Sequence, residues 1–283
     1  MKKIKYSMPR KINIGMISIY FVITLMALLY ILPLLWLLSG ALKTNTELFA
    51  NPPIWFPKTP QWGNFHTALV QFPFFLYLRN TLTIVVGNII GVVISCSLVA
   101  YAFSCLNWKY RDKVFYLVLL TMMLPFQVTM IPLFVMFNKL GWIGTLNPLI
   151  VPAYLAPPFF VFLYRQFFKE IPKDILESAK IDGSSEFTIY LKFVMSLSKP
   201  VIVTSMIFTF LNCWNDFIGP LVFLSDNKLY TLSLGIQQIM SQNDPRWTLL
   251  LSAGVCMVLP VFILFFVLQK YFIEGITMTG IKG

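Results

Sequence analysis

A series of long apolar runs constrains this chain more than any other feature. Six runs, each close to the roughly 20 residues that a helix needs to cross a bilayer, lie at 14–38, 82–104, 114–137, 149–168, 201–224 and 249–268. Hydrocarbon offers no partner to a free backbone N–H or C=O, so spanning segments of this length are helices. We therefore predict an all-α, polytopic membrane protein with six transmembrane helices.

Composition supports the same organisation. Hydrophobic residues make up 58% of the 283 residues and charged residues 12%. With six spans in a chain of this length, too few residues remain to form a large soluble domain. We divide the chain into the N-terminus with an uncleaved first span (1–38), an extracytoplasmic loop rich in proline and aromatic residues (39–81), and a five-helix core (82–283). The core includes a cytoplasmic segment at 170–200 and a C-terminal tail at 269–283.

Lysine and arginine are distributed unevenly between the two ends of the predicted helices. If the N-terminus is cytoplasmic, 16 of the 22 basic residues lie on the cytoplasmic side and 6 on the other. Because cytoplasmic loops carry the excess of basic residues, we predict that both termini and the segment 170–200 lie in the cytoplasm. This topology explains the net charge of +11, and no basic stripe with interleaved aromatic residues indicates binding to nucleic acid.

Charged residues concentrate in the segment 170–200, whose pattern predicts a helix, a turn and a second helix. Pro172 and Asp174 are typical of a first helical turn, and Gly183 tolerates the positive φ that ends a helix. Ser184 is predicted to cap the second helix. The first helix is expected to carry an apolar face formed by Ile175, Leu176 and Ala179. The segment is either a solvated loop or a short docking helix.

A proline and a polar cluster interrupt the apolar runs. Pro125 should kink the third span, since proline removes a backbone hydrogen bond. In the fifth span, a polar cluster precedes Gly219-Pro220 and consists of Asn212, Trp214, Asn215 and Asp216. A charge at mid-membrane costs at least ~2.5 kcal/mol, so Asp216 should face protein or a wet cavity. The cluster is either a polar clamp that caps the kink at Gly219 or a lining of a solute path.

Patterns typical of catalysis are missing from the sequence. There is no phosphate-binding glycine loop, no H-E-x-x-H pair and no nucleophile elbow. The four cysteines lack C-x-x-C spacing and lie in or beside apolar runs. We therefore expect no enzyme activity, no metal site and no cofactor in this chain.

Four motifs, in order and at matching spacing, resemble those of binding-protein-dependent ABC importer permeases. Glu177-Ser178-Ala179 with Asp182-Gly183 resembles the cytoplasmic EAA loop, with Ser178 in place of the usual alanine. Trp214-Asn215-Asp216-Phe217 is similar to a signature of the carbohydrate-uptake branch. Pro125-Phe126-Gln127 and the C-terminal stretch 269–283 resemble further motifs of that branch. The resemblance is closest to the maltose-type second permease subunit.

This resemblance implies a type I ABC importer permease fold in the bacterial cytoplasmic membrane, serving ATP-driven import of sugars or oligosaccharides. The implied partners are a homologous permease subunit, two ATP-binding subunits that hold ATP and Mg, an extracellular solute-binding protein, the sugar and membrane lipid. The implied ATPase-coupling residues are Glu177, Ser178, Ala179, Asp182 and Gly183, with Ala179 packing in a cleft of the ATPase. By the same resemblance, the tail residues Lys282 and Gly283 contact the ATPases.

Other functions stay open on the sequence alone. The motifs identify the branch and not the cargo, so the solute could be a sugar phosphate or another compound. A self-contained secondary carrier would be expected to show inverted repeats and intramembrane ion ligands, whereas we find one intramembrane carboxylate, Asp216, and no convincing repeat. A receptor or scaffold would explain a docking helix but not Asp216.

Overall fold

The computed structural model describes residues 14–241 and 246–279, and this part of the chain is helical without a β-strand. The α-helices in chain order are α1 (Ile14–Ala41), α2 (Asn45–Leu48), α3 (Gly63–Val70), α4 (Phe74–Ser104), α5 (Arg111–Thr121), α6 (Phe126–Lys139), α7 (Asn147–Ile150), α8 (Pro158–Lys169), α9 (Lys173–Ile181), α10 (Glu186–Thr188), α11 (Met195–Leu197), α12 (Lys199–Asn215), α13 (Ile218–Phe223), α14 (Leu232–Met240) and α15 (Trp247–Thr279). Short 3₁₀ helices occupy Val151–Leu155 and Asn227–Leu229, and a π-helical stretch, Ile189–Val194, joins α10 to α11.

The described helices provide between four and six membrane crossings. Four stretches are long and apolar enough to cross alone: Gly15–Ala41, Phe74–Ser104, Asn147–Lys169 and Trp247–Val267. Two further pairs qualify as bent spans, α5 with α6 at an angle of 94° and Glu186–Leu197 with α12 at 77°. Counting each pair as one crossing gives the six spans that the apolar runs predict.

Proline positions explain most of the departures from straight spans. The break predicted at Pro125 is confirmed, because α5 ends at Thr121 and α6 begins directly after Pro125. The fourth run was expected to be one helix, but a 3₁₀ turn and Ala156 at φ 55° interrupt it. Pro152, Pro157 and Pro158 are the sequence signals for that interruption.

Two predicted boundaries are wrong. The fifth run does not continue as a helix to residue 224, because Asp216 adopts an extended backbone between α12 and α13. The second span starts at Phe74 instead of residue 82, so the predicted extracytoplasmic loop 39–81 includes the first turns of α4.

Helix α4 is the centre of the fold, while α1 lies at its edge. One buried cluster packs around the second half of α4 with residues of α5, α8, α9 and the stretch 189–201. A second cluster packs around the first half of α4 with residues of α3, α12, α14 and α15. In contrast, none of the residues in the most apolar stretch of α1 is buried, and this helix packs on α15.

A buried arginine ties the ends of three helices together. Arg165 of α8 is 5% exposed and bonds through Nη2 to Asp112 Oδ1 of α5 at 2.6 Å. Its Nε donates to the carbonyl oxygen of Phe103 in α4 at 3.1 Å, and its guanidinium lies over the ring of Phe115. Because α9 follows α8 within a few residues, the α4–α5 connection and α9 lie at the same end of the bundle.

Candidate functional site

The turn after α9 is a Schellman motif built on Gly183. Gly183 has φ 76° and donates its N–H to Lys180 O at 3.0 Å, while Ser184 N donates to Ala179 O at 3.0 Å. Positive φ at this position favours glycine, so the prediction that Gly183 ends the first helix is confirmed.

The second helix of the segment begins one residue later than predicted. The capping side chain is Ser185, whose Oγ accepts a hydrogen bond from Thr188 N at 3.3 Å. The prediction that Ser184 caps this helix is wrong, because the backbone of Ser184 closes the Schellman turn instead. Helix, turn and helix are otherwise arranged as the sequence indicates.

The outward face of α9 differs from the apolar face predicted for it. Ala179 is 3% exposed and packs inward against this chain's own core, whereas Ile175 is exposed. The most exposed apolar groups lie at the tip formed by the end of α9 and the start of α10, where Ile181 is 88% exposed and Phe187 is 65% exposed. The other residues that the family motif assigns to coupling also lie on the exposed side: Glu177, Ser178, Asp182 and Gly183.

We call the segment 170–200 the docking segment, after the role predicted for it, and Glu186 connects this segment to α4. Lys180 Nζ of α9 lies 2.6 Å from Glu186 Oε1, and the hydroxyl of Tyr101 in α4 donates to Glu186 Oε2 at 2.6 Å. We call these three residues the Glu186 clamp. No sequence pattern indicates this clamp, because its members come from three elements and Tyr101 is distant in sequence from the other two.

A second hydrogen bond reinforces the clamp one helical turn away. The hydroxyls of Tyr190 and Ser97 are 2.7 Å apart and buried, and the rings of Tyr101 and Tyr190 are in edge contact. Ser97 and Tyr101 are four residues apart on α4, as are Glu186 and Tyr190 on the opposing segment. Residues at this spacing share a helix face, so the two bonds hold the two elements in one register.

A cleft of about 770 Å³ opens nearer the other end of α4. Its polar side chains are Asn88 of α4 and three residues of the predicted cluster, Asn212, Asn215 and Asp216. Its walls also include three aromatic rings from two helices, Phe126 and Phe137 of α6 and Phe223 of α13. Asn88 was not predicted; its Nδ2 donates to Leu149 O at 2.7 Å, which holds the broken fourth span against α4.

Asp216 uses its carboxylate to support the break between α12 and α13. Oδ1 accepts a hydrogen bond from Gly219 N at 3.1 Å, and the backbone oxygen accepts one from Ser233 Oγ. A Cβ at position 219 would clash with Asp216 Oδ2 and lie 3.0 Å from Leu149 Cδ2, so glycine permits this close approach. The cap predicted at the kink is therefore present, and Asp216 also lines the cleft; the solute path stays a prediction.

The predicted cluster divides between the cleft and the core. Asn215 Nδ2 donates to Leu211 O at 2.9 Å, and the side chain remains exposed with Asn212 on the cleft side. Trp214 points the other way: it is 1% exposed, stacks on Phe210 and donates to Met257 O at 3.3 Å. The structure thus separates Trp214 from the expected path and makes it a packing residue.

Among the described residues, no group of three or more His, Cys, Asp or Glu side chains is arranged to hold a metal ion. The predicted tail contacts Lys282 and Gly283 lie outside the described residues.

Comparison with known proteins identifies the family. Residues 87–277 match the model of the binding-protein-dependent transport system inner membrane component. The chain belongs to this family. The family resemblance expected from the EAA-like segment and the other motifs is therefore confirmed, and this family consists of transport permease subunits.

Alignments with individual relatives cover almost the whole length of this permease. It is 33% identical over 260 residues to an arabinooligosaccharides transport system permease protein of Halalkalibacterium halodurans, covering 91% of this chain and 93% of the relative. It is 32% identical to a sulfoquinovosyl glycerol transport system permease protein of Agrobacterium fabrum, covering 89% and 88%.

A solved structure has the same fold. A chain of a bacterial ABC transporter involved in the import of the acidic polysaccharide alginate superposes with a TM-score of 0.83 at 20% identity. The match covers 95% of this chain and 100% of that one. The all-α ABC importer permease fold is therefore confirmed.

Proposed function

We propose that this permease is a subunit of an ATP-driven importer of sugars or oligosaccharides, in which it forms half of the translocation path. Family membership supports the transport role, and the relative named for arabinooligosaccharides supports a carbohydrate cargo. The other half of the path is contributed by a homologous permease subunit. A solute-binding protein delivers the sugar from outside.

The position of α4 carries the mechanistic part of this proposal. One end of this helix holds the Glu186 clamp through Tyr101, and Asn88 of the same helix lines the cleft. The two residues are 13 positions apart, which corresponds to about 20 Å along a helix. A displacement of α9 is therefore transmitted to the cleft by a continuous helix rather than through a loop.

The exposed tip of α9 provides the contact with an ATP-binding subunit. Ile181 and Phe187 offer apolar area, and Glu177 and Asp182 surround it with charge. ATP and Mg bind to two partner ATPases, where hydrolysis takes place. The excess of basic residues at the α9 end supports a cytoplasmic location for this end and for both termini, in the bacterial cytoplasmic membrane.

The chemistry of the cleft favours a neutral cargo. The exposed amides of Asn212 and Asn215 suit sugar hydroxyls, since an amide carries both donors and an acceptor. Asn88 contributes its acceptor oxygen, because its Nδ2 already bonds to Ile84 O and Leu149 O. Among the described residues that line the cleft, Asp216 is charged and no lysine or arginine occurs. The phosphate of a sugar phosphate would lie near the Asp216 carboxylate with no cationic side chain to offset the repulsion. We therefore propose that the cargo is a neutral sugar rather than a phosphorylated one.

The test compares two glycine turns in the assembled transporter. Gly183→Pro removes the N–H that Lys180 O accepts and replaces φ 76° with the fixed negative φ of proline. Gly141→Pro makes the same change outside the docking segment, because Gly141 has φ 70° and donates to Asn138 O at 3.0 Å. ATP hydrolysis and uptake are measured in lipid with the binding protein and a panel of neutral sugars, oligosaccharides and sugar phosphates.

We expect a neutral saccharide to stimulate ATP hydrolysis by the unmodified transporter. Gly183→Pro should lower the stimulated hydrolysis rate at least about tenfold, whereas Gly141→Pro should leave it near normal. Equal activity of the two variants would show that the segment is only a solvated loop. Stimulation by a sugar phosphate alone would overturn the neutral cargo. Uptake driven by an ion gradient, with no ATPase bound, would indicate a secondary carrier instead.

A further inference from the structure

The connection between α4 and α5 forms a pocket that has no role in the proposed transport cycle. The pocket has a volume of about 560 Å³ and is lined by Asn107, Trp108, Lys109, Arg111, Asp112 and Lys113. We call it the basic pocket. It lies at the α9 end of the bundle, since Asp112 bonds to Arg165 near the end of α8.

The charge of this pocket is positive because its acidic residue is already paired. Asp112 Oδ1 lies 2.6 Å from Arg165 Nη2 and 3.6 Å from Arg111 Nε. Arg111 is held in place by bonds from Nη1 to Leu106 O and Asn107 Oδ1. Lys109 and Lys113 are exposed, so two flexible ammonium groups flank a positioned guanidinium. This arrangement suits an anion with several acceptor oxygens.

The surroundings of the pocket indicate an anion that is attached to lipid. Trp108 and Tyr110 are 40% and 52% exposed, and side chains of this kind concentrate at membrane interfaces. Immediately beyond the pocket, α5 presents an exposed apolar surface that includes Val114 and Leu117. A basic pocket continuous with an apolar helix face matches a molecule with a charged head and an apolar tail.

We propose that the basic pocket binds the phosphodiester headgroup of an anionic phospholipid, with the acyl chains lying along α5. Lys109 and Lys113 contact the phosphate from two sides, and the fixed Arg111 orients it. This inference needs the α4–α5 connection to lie at a bilayer surface, but it does not depend on the cargo or on coupling through α9.

The experiment measures lipid retention by the purified transporter complex in native mass spectrometry. The complex is offered phosphatidylglycerol or phosphatidylcholine with identical acyl chains, and phosphatidylglycerol again in the presence of excess inorganic phosphate. The test variant is Lys109→Gln with Lys113→Gln. The matched control is Lys192→Gln with Lys199→Gln, which removes the same charge from two exposed lysines in the segment that follows α9.

We expect a preference for phosphatidylglycerol that inorganic phosphate does not abolish. Each lysine near an anionic lipid contributes about fivefold to binding, so the test variant should lose most of the preference and the control should keep it. Equal binding of both lipids, or equal loss in both variants, would overturn the proposal. Displacement by phosphate would indicate a free-anion site instead. Retention by the isolated chain but not by the complex would mean that another subunit covers the pocket, and would overturn lipid binding in the assembled transporter.

Discussion

The docking segment and the cleft are both polar interruptions of an apolar chain, yet they use their charged residues differently. At the docking end, Lys180 and Glu186 have side chains 46% and 47% exposed, and they link separate elements. At the cleft, Asp216 is half-buried and bonds to its own neighbouring backbone at Gly219. The first arrangement joins separate elements at an exposed surface, and the second stabilises a fixed break in a span.

The largest effect should come from placing a charge at the docking tip. Ile181→Asp puts a carboxylate on a residue that is 88% exposed. Burying an isoleucine contributes about 1.5–3 kcal/mol, so the affinity for the ATP-binding subunit should fall at least about tenfold. Binding of that subunit to the permease in nanodiscs measures this affinity.

Leu140→Asp is the matched control for this change. Leu140 is 53% exposed and precedes the Gly141 turn, as Ile181 precedes the turn at Gly183. We expect normal binding of the ATP-binding subunit to this variant. Equal weakening by both substitutions would mean that α9 has no special part in docking.

Two ion pairs at the same end of the bundle should differ in their effect on stability. Arg165→Met removes two hydrogen bonds from a guanidinium that is 5% exposed, and should lower the free energy of unfolding by about 2–3 kcal/mol. Lys180→Met removes an exposed pair and should cost less than about 1 kcal/mol. Unfolding in mixed micelles compares the two variants. A larger stability loss for Lys180→Met would contradict the division between scaffold and docking surface.

At the cleft, asparagine and alanine at position 216 separate the two roles of the carboxylate. Asp216→Ala removes the acceptor for Gly219 N and should lower the free energy of unfolding by about 1 kcal/mol, whereas Asp216→Asn retains an acceptor and should cost only a few tenths. We expect Asp216→Asn to be stable but altered in sugar uptake. Normal uptake by this variant would reduce Asp216 to a structural cap.

Much of the fold follows from local chemistry that the sequence displays. The apolar runs predict the spans, Pro125 predicts the break between α5 and α6, and Gly183 predicts the turn after α9. Each of these features depends on residues within one or two turns. The choice of Ser185 over Ser184 as a cap was missed, because the Schellman turn engages the backbone of the first serine.

The features that sequence could not predict depend on contacts between distant elements. On sequence alone, Trp214 belongs to the same motif as Asn215 and Asp216. In the structure, Trp214 packs against Phe210 in the core, while Asn215 faces the cleft. The Glu186 clamp requires Tyr101 and Glu186, 85 positions apart, to meet. No periodic pattern specifies such a pair, so the connection between docking segment and cleft emerges only from the tertiary structure.

The proposed coupling requires the Glu186 clamp to transmit the movement of α9 to α4. Its most direct test is a double-mutant cycle of Tyr101→Phe and Glu186→Gln, with sugar taken up per ATP hydrolysed as the measured quantity. A parallel cycle uses Glu170→Gln, an exposed carboxylate in the same segment, in place of Glu186→Gln.

We predict that each clamp variant lowers the ratio of uptake to hydrolysis about fivefold and that the double variant is no worse than either single one, because both remove the same connection. The Glu170 cycle should show independent effects. Unchanged ratios in the clamp variants, or losses that multiply in the double variant, would contradict the proposed coupling.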